Sequence, residues 1–422
     1  MNIDRDCAGR QVDASRLCRS GRPTEAFRMI HKPELLLAVL TAVAPLAAQR
    51  IQLPAKLSEL ETRARQDSND AAAQYNVALA YWNEKRWDDA DSALHRAVRI
   101  EPQFAAPYLA LWALPYARRP QLWDEVHETR VPAEWRTRVE EADRMYRHAF
   151  LLDPLVDLRI VSLVLPPRSV FVDLIADYDD FYQWYDDSFE KLRQGNFDDA
   201  YQRFQRMMLE MNADRHPDRV PTFIYWWHGL AAAHVNKNDE AVFDFRQILN
   251  RYLATERRRR DSITAVPLRT NEYRYELAVM KQRAGQLDEA IQLYQEALEN
   301  DAGLYPAHAR LASIYETRNL WVQAVAERRA AVNANPDDAS LLMDLGLTLA
   351  KARNLGEAEQ ALHQAMDANP RDARVPYYLG RVEEQLNKPA DARTAYTRFL
   401  SLAPSRYATQ IADAKQRLET LH

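Results

Sequence analysis

Cysteine is almost missing from this 422-residue chain, with Cys7 and Cys18 the only two. Both precede residue 48, so nothing beyond it could form a disulfide, a thiolate nucleophile or a cysteine-based zinc site. Glycine is scarce too, at 9 residues. No Gly-rich phosphate loop, His-Glu-x-x-His or Gly-x-Ser-x-Gly occurs. The readable routes to nucleotide, zinc-protease and serine-hydrolase chemistry are therefore missing. Excess positive charge is absent as well: after residue 48 the chain carries 49 Lys and Arg against 56 Asp and Glu. That balance argues against nucleic acid, where basic charge dominates affinity. The apolar run from Leu35 to Ala48 is too short to span a bilayer comfortably, since a spanning helix needs about 20 residues. His228 and His234 stand six apart and share no helix face, so each reads as a packed or surface histidine. The acidic run Asp177, Asp179, Asp180, Asp186 and Asp187 lacks the glycine and the terminal Glu of a calcium loop. It reads as a solvated helix face. No catalytic residue, cofactor or metal is expected.

What is present is a period. Pro336, Pro370 and Pro404 recur with a constant step of 34, as do Ala324, Ala358 and Ala392, and Leu311, Leu345 and Leu379. A small residue follows each leucine: Ala312, Gly346, Gly380. Within one unit, Leu342, Leu345, Gly346 and Leu349 form one helical stripe, and Ala358, Leu362 and Ala365 form a second. Asn354 and Gly356 mark the turn between them. Asn369-Pro370 ends the second helix, because proline lacks an N–H and disfavours α geometry in the preceding residue. Gly346 and Ala358 are expected to let the two helices approach closely. One such hairpin cannot bury its apolar faces alone, so its neighbours must stack.

This pattern resembles the tetratricopeptide repeat. Leu342, Leu345, Gly346, Leu349, Ala358, Leu362, Ala365 and Pro370 fill the family's positions in the unit starting at 339. In the unit at 305 the same positions are His308, Leu311, Ala312, Tyr315, Ala324, Arg328, Ala331 and Pro336. Arg328 departs from the pattern and is expected to weaken its packing position. The resemblance implies an all-α, right-handed superhelical solenoid of helix hairpins, with about eight repeats and an irregular insertion in the N-terminal half.

In chain order, residues 1–48 read as a leader with a signal peptide, its natural start at Met29 and cleavage near Ala48. Residues 49–70 read as a capping helix. The first two repeats occupy 71–156, with an insertion at 115–135 that carries Trp123, Trp135 and three prolines. Degenerate third and fourth repeats occupy 157–255, and a basic linker follows at 256–270. The fifth to eighth repeats span 271–406, and a capping helix spans 407–422.

Family resemblance further implies that the first helices line a concave groove. Its lining would be Tyr75, Leu79, Trp82, Tyr182, Tyr185, Phe223, Trp226, Tyr275, Arg374, Tyr377 and Arg381, aromatic toward the N-terminus and polar toward the C-terminus. The alternative is that the irregular stretches bury these aromatics within the chain. The expected function is a non-enzymatic scaffold that binds a protein or peptide segment, exported to the bacterial periplasm for envelope assembly or secretion. A cytoplasmic adaptor or co-chaperone is the second reading, and an enzyme with a cryptic site at 115–180 the third. No nucleic acid and no membrane span in the mature chain are expected.

Overall fold

The computed structural model describes residues 53–122, 131–156, 160, 185, 187–192, 194–259 and 270–421. The leader, both cysteines, Trp123, Tyr182, most of the acidic run and residues 260–269 of the basic linker lie outside the described residues.

The described chain is helical, without a strand. In order the helices are α1 (Leu57–Gln66), α2 (Ala71–Asn83), α3 (Trp87–Ile100), α4 (Ala105–Arg118), α5 (Ala133–Leu152) and α6 (Phe197–Glu210). They continue with α7 (Thr222–His234), α8 (Asn238–Arg259), α9 (Thr270–Arg283), α10 (Leu287–Asn300), α11 (Tyr305–Thr317) and α12 (Trp321–Ala334). The last are α13 (Ala339–Lys351), α14 (Leu355–Ala368), α15 (Arg374–Gln385), α16 (Pro389–Leu402) and α17 (Ala408–Thr420). Packing follows chain order: α2 with α3, α4 with α5, α7 with α8, and so on to α15 with α16. Successive hairpins also pack on one another, as α3 does on α4, α8 on α9 and α14 on α15.

The α13–α14 hairpin shows why the repeat folds this way. Asp338 starts α13 by accepting hydrogen bonds from the Ser340 and Leu341 amides at 2.9 and 3.4 Å, which satisfies donors a helix start leaves open. A Cβ at Gly346 would stand 2.7 Å from Leu362 Cγ and 3.2 Å from the Ala358 carbonyl oxygen. Only glycine permits that contact between the two helices. Gly380 meets the Tyr396 ring in the same way, at 2.9 Å. The turn itself requires left-handed backbone. Gly285, Asn319, Arg353 and Asn387 hold φ of 76°, 57°, 64° and 58° at successive turns, each one repeat period after the last. Glycine and asparagine tolerate that region; Arg353 occupies it against its preference. The reversal therefore centres one residue before Asn354.

Two expectations change form. At 115–135 part of the extra length enters a helix. Pro115 lies inside α4, which continues to Arg118, and α5 runs 20 residues from Ala133. The linker expected from residue 256 starts only after Arg259, since α8 continues to that residue and takes in the first three arginines of the run. Arg328 corrects a third. It is buried and paired with Glu316 at 2.9 Å and Asp344 at 3.1 Å, so an ionic network replaces apolar packing there.

The two ends of the array touch. Glu101, after α3, pairs with Arg374 at 3.6 Å and Arg406 at 3.5 Å. Asn369 donates to the Arg99 and Ile100 carbonyls at 3.0 and 3.1 Å, and Ser405 donates to Asp67. Further along, Tyr275 donates to the Leu151 carbonyl at 2.6 Å and Arg310 to the Leu152 carbonyl at 3.4 Å. The C-terminal end of α5 therefore lies against the first helices α9 and α11.

Candidate protein-binding face

The residues expected to line a groove divide by exposure. Tyr75, Leu79 and Trp82 on α2 are buried, at 8%, 5% and 5% exposure. Tyr75 meets Phe104 edge-on at 5.4 Å, and Trp82 meets Trp87 at 5.5 Å. These contacts come from the adjacent helix and its following turn. Tyr275 on α9 is fully buried, its hydroxyl held between Leu151 and Arg310. These four side chains belong to the packed interior, and the rings that meet Tyr75 and Trp82 come from the regular neighbouring hairpin elements, not from the irregular stretches.

The others stay accessible in different degrees. Phe223 on α7 is 42% exposed, and its ring lies 5.1 Å from that of half-buried Tyr185. Trp226, half-buried one turn along α7, stands 6.0 Å from Tyr273. On α15, Arg374 spends its guanidinium on Asp372 and Glu101. Tyr377 is half-buried and donates to Asp413 at 2.8 Å. Arg381 is exposed, one helical turn from Tyr377. The accessible part is thus an aromatic patch on α7 and a polar one on α15.

Sequence reasoning missed a buried polar group beside α7. His228 is 3% exposed. Its Nδ1 lies 2.5 Å from Asp244 Oδ2 and its Nε2 2.7 Å from Gln205 Oε1. Tyr201 donates to Glu240, which lies 4.0 Å from His228. Burial pushes the Asp244 carboxyl up to about 6, although His228 opposes this. The histidine was legible as packed, but its partners sit 16 and 23 positions away in sequence. His234, by contrast, stacks on Phe197 at 3.7 Å.

One group among the described residues has metal-ligand composition: Glu359, His363 and Glu383, with donor atoms within 4.8 Å of one another. The Lys388 ammonium sits on both Glu359 oxygens at 2.6 and 2.7 Å, so this chain already places a cation there. No helix among the described residues is long and apolar enough to cross a membrane.

Stacked helix hairpins that pack in chain order define an α-helical repeat protein. Residues 343–407 match the tetratricopeptide repeat family model, and the chain continues the same helix-hairpin packing outside them. It is 33% identical over 148 residues to the TPR repeat-containing protein PA4667 of Pseudomonas aeruginosa, covering 30% of this chain and 24% of that one. It is 32% identical over 120 residues to the type IV pilus assembly protein PilF of the same organism, covering 28% of this chain and 48% of that one. The chain thus spans about a quarter and about half of the length of these curated relatives. Among solved structures, the C-terminal part of a TPR repeat-containing protein from Cytophaga hutchinsonii aligns with a TM-score of 0.43 and 15% identity, over 54% of this chain and 83% of that one. MamA from Desulfovibrio magneticus aligns with a TM-score of 0.35 and 17% identity, over 43% of this chain and 94% of that one.

Proposed function

We propose that this chain is a non-enzymatic scaffold that binds a protein or peptide segment along the first-helix face, in the bacterial cell envelope. The carrying observation is Phe223, a large aromatic left 42% exposed beside Tyr185 and one turn from Trp226, where most described rings are buried or half-buried. Aromatic and arginine side chains dominate the energy of protein interfaces, and Arg381 offers the second type on α15. The pattern at 29–48 of a charged start, an apolar core and Ala-Ala before Gln49 supports export. Similarity to a type IV pilus assembly protein supports an assembly role there.

The test is affinity capture from the native host, comparing wild type with a Phe223→Ala/Arg381→Ala variant, with intact mass measured on the bait. A specific partner that drops at least about tenfold in the variant, as expected when interface anchors are removed, supports the scaffold reading. Unchanged capture in the variant rejects this face. A bait mass beginning near Gln49 supports export, and an intact leader rejects it.

A further inference from the structure

We infer that the cavity between α5, α7 and α9 receives one cationic side chain of the partner, a lysine ammonium or an arginine guanidinium. This deepens the scaffold reading and rests on it. The cavity measures about 160 Å3, several times the ~30 Å3 share of one water and of a size for one side-chain head. Tyr146 and Phe150 of α5, Trp226 of α7 and Tyr273 of α9 wall it, together with Glu272 and Glu276.

The rings are held in place by one another. Phe150 stands 4.8 Å from Tyr146 and 6.2 Å from Trp226. Trp226 meets Tyr273 nearly perpendicular, at 83°, and packs on Phe245 from another side. Tyr273 stacks on Tyr252 at 4.3 Å and donates to its hydroxyl. Aromatic faces attract cations through their quadrupole, most strongly where water is excluded.

Glu276 adds the second, independent observation. It is 7% exposed, and its Oε2 is buried with no hydrogen-bond partner. A buried carboxylate without a compensating group is costly. Burial, reinforced by the charge of Glu272, holds this carboxyl well above the usual carboxylate range. An entering ammonium or guanidinium supplies the missing partner. The cation of the chain itself at this cavity is Arg147, which lies exposed among the lining residues. It competes with an incoming cation for the same carboxylates.

The test uses the full chain and three probes: N-acetyl-lysinamide, N-acetyl-argininamide and uncharged N-acetyl-norleucinamide. Binding is read by saturation-transfer NMR and tryptophan emission. Both cationic probes are expected to bind about tenfold or more tightly than norleucinamide, the scale of a desolvated cation–π contact with a carboxylate. Glu276→Gln, nearly isosteric, should remove most of that preference, and Trp226→Leu should reduce it. Arg147→Ala should strengthen cation binding, a gain that a misfolded variant would not give. Equal binding of all three probes, no binding, or an unchanged preference in Glu276→Gln overturns the inference. If a partner depends on Phe223 and Arg381 while the cationic probes do not bind, this inference falls and the scaffold reading stands. Cation binding without any captured partner rejects the scaffold reading and leaves the cavity's chemistry intact.

Discussion

The hairpins from α11 to α16 and those from α4 to α8 use the same helix pairing with different interiors. In the C-terminal set, Gly346 and Gly380 bring backbones together over Leu362 and Tyr396, and alanine, leucine and valine fill most of the remaining interior. In the central set, the α7–α8 interface also narrows, at Gly229 against Phe245. There, however, it encloses His228 and Asp244 and is ringed by tryptophan and tyrosine. The regular array meets its shape requirement with small and branched residues, and it pairs its buried Arg328 with Glu316 and Asp344 of the two neighbouring helices. What sets the central region apart is that its buried polar pair, His228 and Asp244, also lines a cavity with Gln205.

Removing one polar partner should break the comparison most severely. His228→Ala leaves Asp244 buried without its partner, which costs about 3–5 kcal/mol when a buried pair is broken. Native-state hydrogen exchange should show α7 and α8 losing protection while α13 to α16 keep theirs. Equal loss in both regions would mean that they unfold as one unit.

Overpacking is the matching test of the C-terminal set. Gly346→Leu should cost about 1–3 kcal/mol or more, because the new side chain meets Leu362 and the Ala358 carbonyl. Gly356→Ala, where a Cβ meets nothing within 4 Å, should be neutral or stabilising by up to about 1 kcal/mol. Denaturant unfolding of the two variants checks this. Similar losses in both would show that close approach at Gly346 does not matter.

The C-terminal set has a titrating group of its own. Burial pushes Glu383 up to about 7, with Asp391 and Glu359 adding to the rise and Lys388 opposing it. The folded state therefore holds this proton more tightly than the unfolded chain does, whose carboxyl titrates near 4.5. The contribution is fully present below about 4.5 and is lost as pH rises through about 7. Glu383→Gln should flatten that decline in a series of unfolding midpoints from pH 4 to 8. An unchanged slope would assign the pH dependence to other groups.

The smallest effect concerns the meeting of the ends. Glu101→Ala removes ion pairs to Arg374 and Arg406 that are partly exposed. About 0.2–1 kcal/mol is expected, shrinking as salt is added. A loss several times larger, insensitive to salt, would show that this contact organises the array.

Much of the C-terminal half could be read from local pattern. The stripes at Leu342–Leu349 and Ala358–Ala365, the role of Gly346 and the stop at Asn369-Pro370 all follow from residues within one repeat. The groove was less readable. The resemblance places Tyr75, Trp82 and Tyr275 on first helices, but exposure depends on what else packs there. Phe104, Trp87 and Leu151 do the covering, and no spacing rule announces them. Arg328 looked like a weakened position because its acceptors, Glu316 and Asp344, come from other helices.

By itself the sequence determined the hairpin, its constant period, its all-helical class and its likeness to the tetratricopeptide repeat. Each of these depends on periodicity and on backbone preferences that act over one or two turns. Tertiary structure alone decided which rings stay exposed, how His228 and Asp244 pair, that Glu276 lacks a partner, and that the α3 end meets α15. Those outcomes depend on distances between residues tens to hundreds of positions apart, and the summed rotation of successive hairpins sets those distances.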